Sequence, residues 1–430
     1  MKITEIKNDL LGDSVFCAKH PSGLTIMVMP KPGYSSTYAV FATKYGSIDT
    51  SVKNEEGGFD PIPEGTAHFL EHKLFECEEM DAFALFAKTG ASANAYTSFD
   101  KTAYLFSCSQ NFEESLGILL DFVQKPYFTQ ATVEKEQGII GQEIRMYKDD
   151  PDWEVCLNLL RALYSEHPVR IDIAGTQESI ARIDADLLYR LYRNFYNLGN
   201  MVLCVCGNAD METVLKVADA KLQKNEGKKI ERKFVPESPV PVQKRVEERL
   251  SVATKQFLLG YKEDLKNPEI KLEDWLATEV MLNVICGRTS PLFNDLLSRG
   301  LIDMGFSSEF FNGYGYGAVL IGGTSSDPEQ TAELIRDAIE KAAKKGISAE
   351  DFERARRRLY GRMVMDYNDI DAVANQMMDL HFNGCKPFDE LEACRKLTLE
   401  RVNKRLRKLK REYSALSVIL PLESEGENNG

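Results

Sequence analysis

Hydrophobic and polar positions change period several times along the chain, and each change marks an element. Apolar residues run almost unbroken through Leu24-Thr25-Ile26-Met27-Val28-Met29-Pro30-Lys31 and through Ser36-Thr37-Tyr38-Ala39-Val40-Phe41-Ala42-Thr43, which predicts two strands, the second ending near Gly46. A loop punctuated by glycine and proline, 57–65, then gives way to a helical repeat from Ala67. Residues 81–88 predict a second short helix closed by Gly90. Segments 91–98 and 102–108 flank the turn Phe99-Asp100-Lys101 and read as a hairpin. The small side chains of its first arm suit an exposed edge that could accept a peptide by strand addition, and equally an ordinary hairpin arm. Helices are predicted at 112–123 and 132–147, then a mixed helical region at 153–197 and an apolar strand at 201–206.

From 221 to 249 the chain is charged and poor in aromatics, with Pro236 and Pro241 inside it, and reads as an inter-domain linker. Beyond it the order repeats. A strand at 255–261 leads to a helix at 272–285 and a hairpin-like pair at 305–311 and 317–323. Helices follow at 329–345, 349–367 and 399–409, and a strand at 416–420. The fold class expected is therefore α+β, in two similar halves that arose by duplication, each a sheet covered by helices. The halves are placed at 1–225 and 249–422, with a linker at 226–248 and a disordered polar tail at 423–430.

Composition narrows the setting. At 430 residues the chain is long for a single core, and its net charge of −13 argues against nucleic acid as a partner. It carries no run long enough for a membrane span, a secretory signal is not expected, and acids near the start oppose a transit peptide. Nine cysteines without CxxC pairs suit free thiols in a reducing, cytoplasmic compartment. Cys204 and Cys206 alternate along an apolar strand and read as core.

The candidate chemistry lies in Glu64-Gly65-Thr66-Ala67-His68-Phe69-Leu70-Glu71-His72-Lys73-Leu74-Phe75. At 3.6 residues per turn His68, Glu71 and His72 share one face, while Ala67, Leu70 and Leu74 cover the opposite one. Two imidazoles one turn apart can reach one metal ion, zinc favours such ligands, and the carboxylate between them can take a proton from a bound water. This is the H-x-x-E-H order. The chain holds only five histidines, and the second half has only His381, so metal chemistry belongs to the first half. On the predicted helix 132–147, Glu136 and Glu143 stand two turns apart on one face.

These blocks resemble the pitrilysin/insulinase superfamily (M16-type) of zinc peptidases, specifically its processing-peptidase-like bacterial branch. His68-Phe69-Leu70-Glu71-His72 is similar to the family's metal motif, and Val133-Glu134-Lys135-Glu136-Gln137-Gly138-Ile139-Ile140-Gly141-Gln142-Glu143-Ile144 to its second block. Glu143 follows His72 by 71 residues. The resemblance implies Zn2+ held by His68, His72 and Glu143, with Glu71 as general base and Glu136 as an auxiliary acid. It also implies a clamshell of two facing halves, and a substrate-pairing strand with Asn94 and Ala95 at the peptide backbone. Family members that cleave alone carry an Arg and a Tyr seven residues apart in the second half. Anchored on Arg299-Gly300-Leu301, those positions fall on Leu296 and Asp303, although Tyr314 and Tyr316 lie nearby. The expectation is a zinc endopeptidase acting on peptides or small proteins as the metal-bearing subunit of a heterodimer, its metal-less paralogue supplying the Arg/Tyr pair. The alternatives are a non-catalytic scaffold of the same family and a factor linked to maturation of elongation factor P.

Overall fold

A computed structural model describes residues 1–54, 56–76, 78, 81–223 and 230–423. Its secondary structure is built around two sheets. Seven strands form the first, in the spatial order Ile3–Asn8, Asp13–Lys19, Thr25–Pro30, Met201–Gly207, Thr37–Thr43, Thr102–Cys108, Ser92–Thr97. Five form the second, in the order Arg245–Leu250, Ser414–Pro421, Gln256–Lys262, Tyr316–Thr324, Ser307–Gly313. With its first two strands set aside, the first sheet has the same order as the second: first, fifth, second, fourth and third along the chain. The single parallel pairing also falls in the same place, Thr25–Pro30 with Met201–Gly207 and Arg245–Leu250 with Ser414–Pro421. The remaining pairings are antiparallel. The repeat of element order in the sequence is thus a repeat of strand topology, and the fold is α+β with two similar halves.

Met201–Gly207 is buried along its whole length, and Cys204 and Cys206 are fully enclosed. A strand covered on both faces needs this continuous apolar run. On one face of the first sheet, Tyr104 and Phe106 meet Phe122 and Phe86 of the helices Phe112–Gln124 and Ala82–Thr89. On the other face, Tyr38 accepts a hydrogen bond from Asn375 of the helix Ile370–Phe382. In the second sheet, Gly260 leaves room for the helix Pro151–Leu163, since a Cβ there would lie 2.9 Å from side-chain carbons of Leu159 and Leu163.

The chain divides into two compact units. One comprises Met1–Gln142, Asp172–Lys233 and Arg362–Asp389; the other comprises Glu143–Ile171, Phe234–Gly361 and the chain from Glu390 onward. These units cut across the contiguous spans 1–225 and 249–422, because each sheet has a second apolar face to cover. That face takes Ile370–Phe382 in the first unit and Pro151–Leu163 in the second. Part of the expected linker at 226–248 is a strand. Residues 224–229 and the tail 424–430 lie outside the described residues, and Arg245–Leu250 is a strand. Its sequence Arg-Val-Glu-Glu-Arg-Leu alternates, but mostly among charged residues, which hid the period. The strands Ile3–Asn8 and Asp13–Lys19 and the helices Met211–Lys221, Pro291–Ser298, Ile370–Phe382 and Asp389–Lys396 are likewise additions to the elements read from sequence. Among the described residues no helix is long and apolar enough to cross a membrane.

Glu237, in the segment between the halves, is fixed within the second unit. One carboxylate oxygen accepts the backbone N–H of Glu166 and of His167, each at 2.6 Å, and the other accepts Lys262 Nζ at 2.8 Å. Burial alone would raise its pKa; Lys262 and the two N–H groups outweigh burial and bring it down to about 2. The stability this gives is present above the ordinary value of 4.5 and is lost as pH falls toward about 2. Urea melts at pH 7 and pH 3 should therefore differ by on the order of 1–2 kcal/mol more for the wild type than for Glu237→Gln. An equal pH dependence in both proteins would remove Glu237 from the acid response.

Candidate metal centre

The motif helix spans Thr66–Leu74 and is fixed at its start by a close backbone crossing. Gly65 caps it with φ 84°, a left-handed conformation that favours glycine, and a Cβ there would stand 2.3 Å from the Ala174 carbonyl oxygen. A Cβ on Gly175 would in turn stand 2.6 Å from the Glu64 carbonyl oxygen, and Ser179 Oγ donates to that carbonyl at 2.9 Å. Ala67, Phe69, Leu70 and Leu74 are buried, so the helix has one way to lie and presents His68, Glu71 and His72 together.

One ligand atom each from His68, His72 and Glu143 lie within 4.8 Å of one another. The two imidazole rings meet edge to face, with centroids 4.5 Å apart. Glu143 comes from the helix Gln130–Lys148, which also carries Glu136 two turns earlier. Glu136 Oε1 lies 2.9 Å from His72 Nδ1, which leaves Nε2 as the ring nitrogen available to a metal. Glu71 Oε2 accepts the Thr97 hydroxyl at 2.6 Å. Burial, and next the neighbouring His72, push the His68 pKa down to about 3, so its ring is neutral and able to ligate across the physiological range. Two imidazoles and one carboxylate form a donor set suited to zinc, with three protein ligands as in catalytic sites.

Asn94 and Ala95 lie on the strand Ser92–Thr97, at the outer edge of the first sheet and two or three residues from Thr97. Three residues near the motif were not singled out by the sequence pattern: Thr97, Lys73 and Tyr104. Lys73 is fully buried and paired with Glu76; burial lowers its pKa to about 8, against the opposing pull of Glu136. Tyr104 is fully buried with its hydroxyl 2.8 Å from that of Tyr196; burial first, then Tyr196 and Glu71, keep it protonated. A buried lysine directly after the second histidine was the one signal available in the sequence, because lysine rarely occupies the apolar side of a helix.

The positions aligned with the family's Arg and Tyr are described within the second unit alone. Leu296 is fully buried in the helix Pro291–Ser298, and exposed Asp303 accepts the Thr324 hydroxyl at 2.6 Å and the Gly305 N–H at 2.7 Å. Tyr316 is buried against His167, and the Tyr314 carbonyl faces His167 Nε2 at 3.1 Å.

The crossing at Gly65 has a direct consequence. Gly65→Ala must open the contact with Ala174 and strain the cap, which moves both histidines relative to Glu143. Metal titration of the apo protein should show zinc affinity weakened by roughly tenfold or more, with a lower melting temperature. Unchanged affinity would mean the crossing does not set the ligand positions.

Residues 60–177 match the model of the insulinase family, peptidase family M16, and residues 182–359 match that of the peptidase M16 inactive domain. The chain is 42% identical over 415 residues to the uncharacterized zinc protease YmfH of Bacillus subtilis (strain 168), covering 93% of this chain and 95% of that protein. A solved structure described as an M16-like peptidase from Alicyclobacillus acidocaldarius shares 37% identity and a TM-score of 0.92, covering 97% of this chain and 100% of that chain. Pitrilysin, at 17% identity and a TM-score of 0.77 over 97% of this chain and 46% of its own, shares the fold. By its sequence, its duplicated sheets and these relatives, the chain belongs to the M16, or insulinase, family of peptidases.

Proposed function

We propose that the protein is a zinc-dependent endopeptidase whose ligands are His68, His72 and Glu143. The observation that carries this reading is the convergence of those three donors beside Glu71, a carboxylate held outside the ligand set. When bound, zinc supplies Lewis acidity, polarising a peptide carbonyl and making a water molecule more acidic. Glu71 takes the proton of the attacking water and returns it to the leaving amine. Glu136 acts through His72 as a positioning residue, fixing its tautomer and ring orientation. The strand Ser92–Thr97, an outer edge of its sheet, binds an extended peptide by backbone pairing around Asn94 and Ala95.

Two substitutions separate ligand from base. Glu143→Gln should lose most of the zinc, because a neutral amide is a poorer ligand. Glu71→Gln should keep zinc and fold while turnover falls by roughly two to four orders of magnitude. Elemental analysis and peptide hydrolysis decide both. Full zinc in the first variant, or near wild-type turnover in the second, contradicts the assignment.

We further propose that the chain is the metal-bearing subunit of a heterodimer. Buried Leu296 and engaged Asp303 stand where lone-acting members carry a donor pair that stabilises the oxyanion, and a metal-less M16-type paralogue would supply it. Restoring the pair in place is not open to this chain, since Leu296→Arg would bury an unpaired charge. The purified chain should bind zinc yet cleave test peptides poorly, and gain activity on addition of the paralogue. Full activity from a monodisperse monomer would rule the heterodimer out.

A further inference from the structure

The hairpin ladder determines which groups of the edge strand are turned outward. Ser98 N–H donates to the Lys101 carbonyl at 2.8 Å, and Thr97, Tyr96, Ala95 and Asn94 stand opposite Thr102, Ala103, Tyr104 and Leu105. Antiparallel pairs alternate between bonded and non-bonded. With Ser98 bonded, Tyr96, Asn94 and Ser92 bond across the ladder, and the backbone groups of Ala93, Ala95 and Thr97 point off the sheet. The Ala95 N–H agrees, for it donates to Oδ1 of the adjacent Asn94 at 2.9 Å. Side chains alternate as well. Tyr96 lies on the face of the helix Ile370–Phe382, where its hydroxyl meets Asn375 at 3.1 Å; Thr97 lies on the face of the motif helix.

Thr97 therefore combines two features. Its backbone belongs to the outward-pointing set, and its hydroxyl donates to Glu71 Oε2 at 2.6 Å. Thr102 Oγ1, 3.3 Å from Thr97 Oγ1, donates to the Tyr45 carbonyl at 2.9 Å, which leaves the Thr97 proton for Glu71. We propose that Thr97 is a positioning residue for the general base. Its hydroxyl holds the Glu71 carboxylate in one place relative to the backbone on which an extended peptide pairs, so the peptide's register on the edge strand sets which bond lies beside Glu71. This rests on the peptidase reading above. A charge-assisted hydrogen bond from a rigid strand narrows the rotamers open to a glutamate side chain.

The test compares Thr97→Val with Thr97→Ser. Valine keeps the branched shape and strand preference while removing the donor; serine restores the donor. Crystal structures of the zinc-loaded forms should show the Glu71 carboxylate displaced in Thr97→Val and back in place in Thr97→Ser, with zinc content unchanged in both. In the active assembly, with an internally quenched decapeptide as probe, Thr97→Val should lower kcat roughly 10- to 100-fold with KM within about twofold. Thr97→Ser should recover kcat to within about threefold of wild type. The proposal is overturned if Glu71 keeps its position in Thr97→Val, if the loss falls on KM, or if serine fails to restore position and rate. Should no form of the protein cleave the peptide, the peptidase reading fails, and the three structures still decide whether Thr97 places Glu71.

Discussion

Everything at this site depends on allotting carboxylates. Glu71, Glu136 and Glu143 crowd against two imidazoles, and three like charges in a half-buried space repel unless each has its own partner. Glu136 is matched to His72 Nδ1 and Glu71 to the Thr97 hydroxyl, while Glu143 is the carboxylate whose oxygen falls within the ligand cluster. That division assigns roles that composition leaves open. It depends in turn on the placement of the motif helix, which the Gly65 crossing and the buried Phe69, Leu70 and Leu74 fix.

Among the described residues one such histidine–carboxylate cluster is found, although the two large sheets share a topology. Both sheets end on the same topological strand, Ser92–Thr97 in one and Ser307–Gly313 in the other. The first carries small residues around Asn94 and Ala95, while the second carries Phe310 and Phe311. The chemistry diverged as well. Two of the five histidines lie on the motif helix, and the only one in the second half of the sequence, His381, packs with the first unit. Burial, and next the charges of Lys19 and Lys44, bring its pKa down to about 4, consistent with a neutral ring in a structural place.

The helix face bearing His68, Glu71 and His72 was legible because a strict 3.6 period fixes which residues share a face, and the spacing of Glu136 and Glu143 was legible for the same reason. The edge strand was legible as a strand, yet its outward residues were not. Which backbone groups face out depends on ladder parity, and that is fixed by the Ser98–Lys101 hydrogen bond in the turn. Thr97 escaped notice on that account, although it lies within the hairpin arm expected from the sequence. The compact units differ from the contiguous halves because Pro151–Leu163 and Ile370–Phe382 bury their apolar faces on sheets chosen by tertiary packing, a choice that no local period encodes.

The most direct test of the central claim is zinc K-edge X-ray absorption on the purified full-length chain after metal loading. Two imidazole nitrogens and one carboxylate oxygen at about 2.0–2.2 Å are expected, with the histidine scattering halved in His72→Ala. A sulfur shell at about 2.3 Å, or a spectrum unchanged by His72→Ala, would contradict the assignment of His68, His72 and Glu143 as the metal centre.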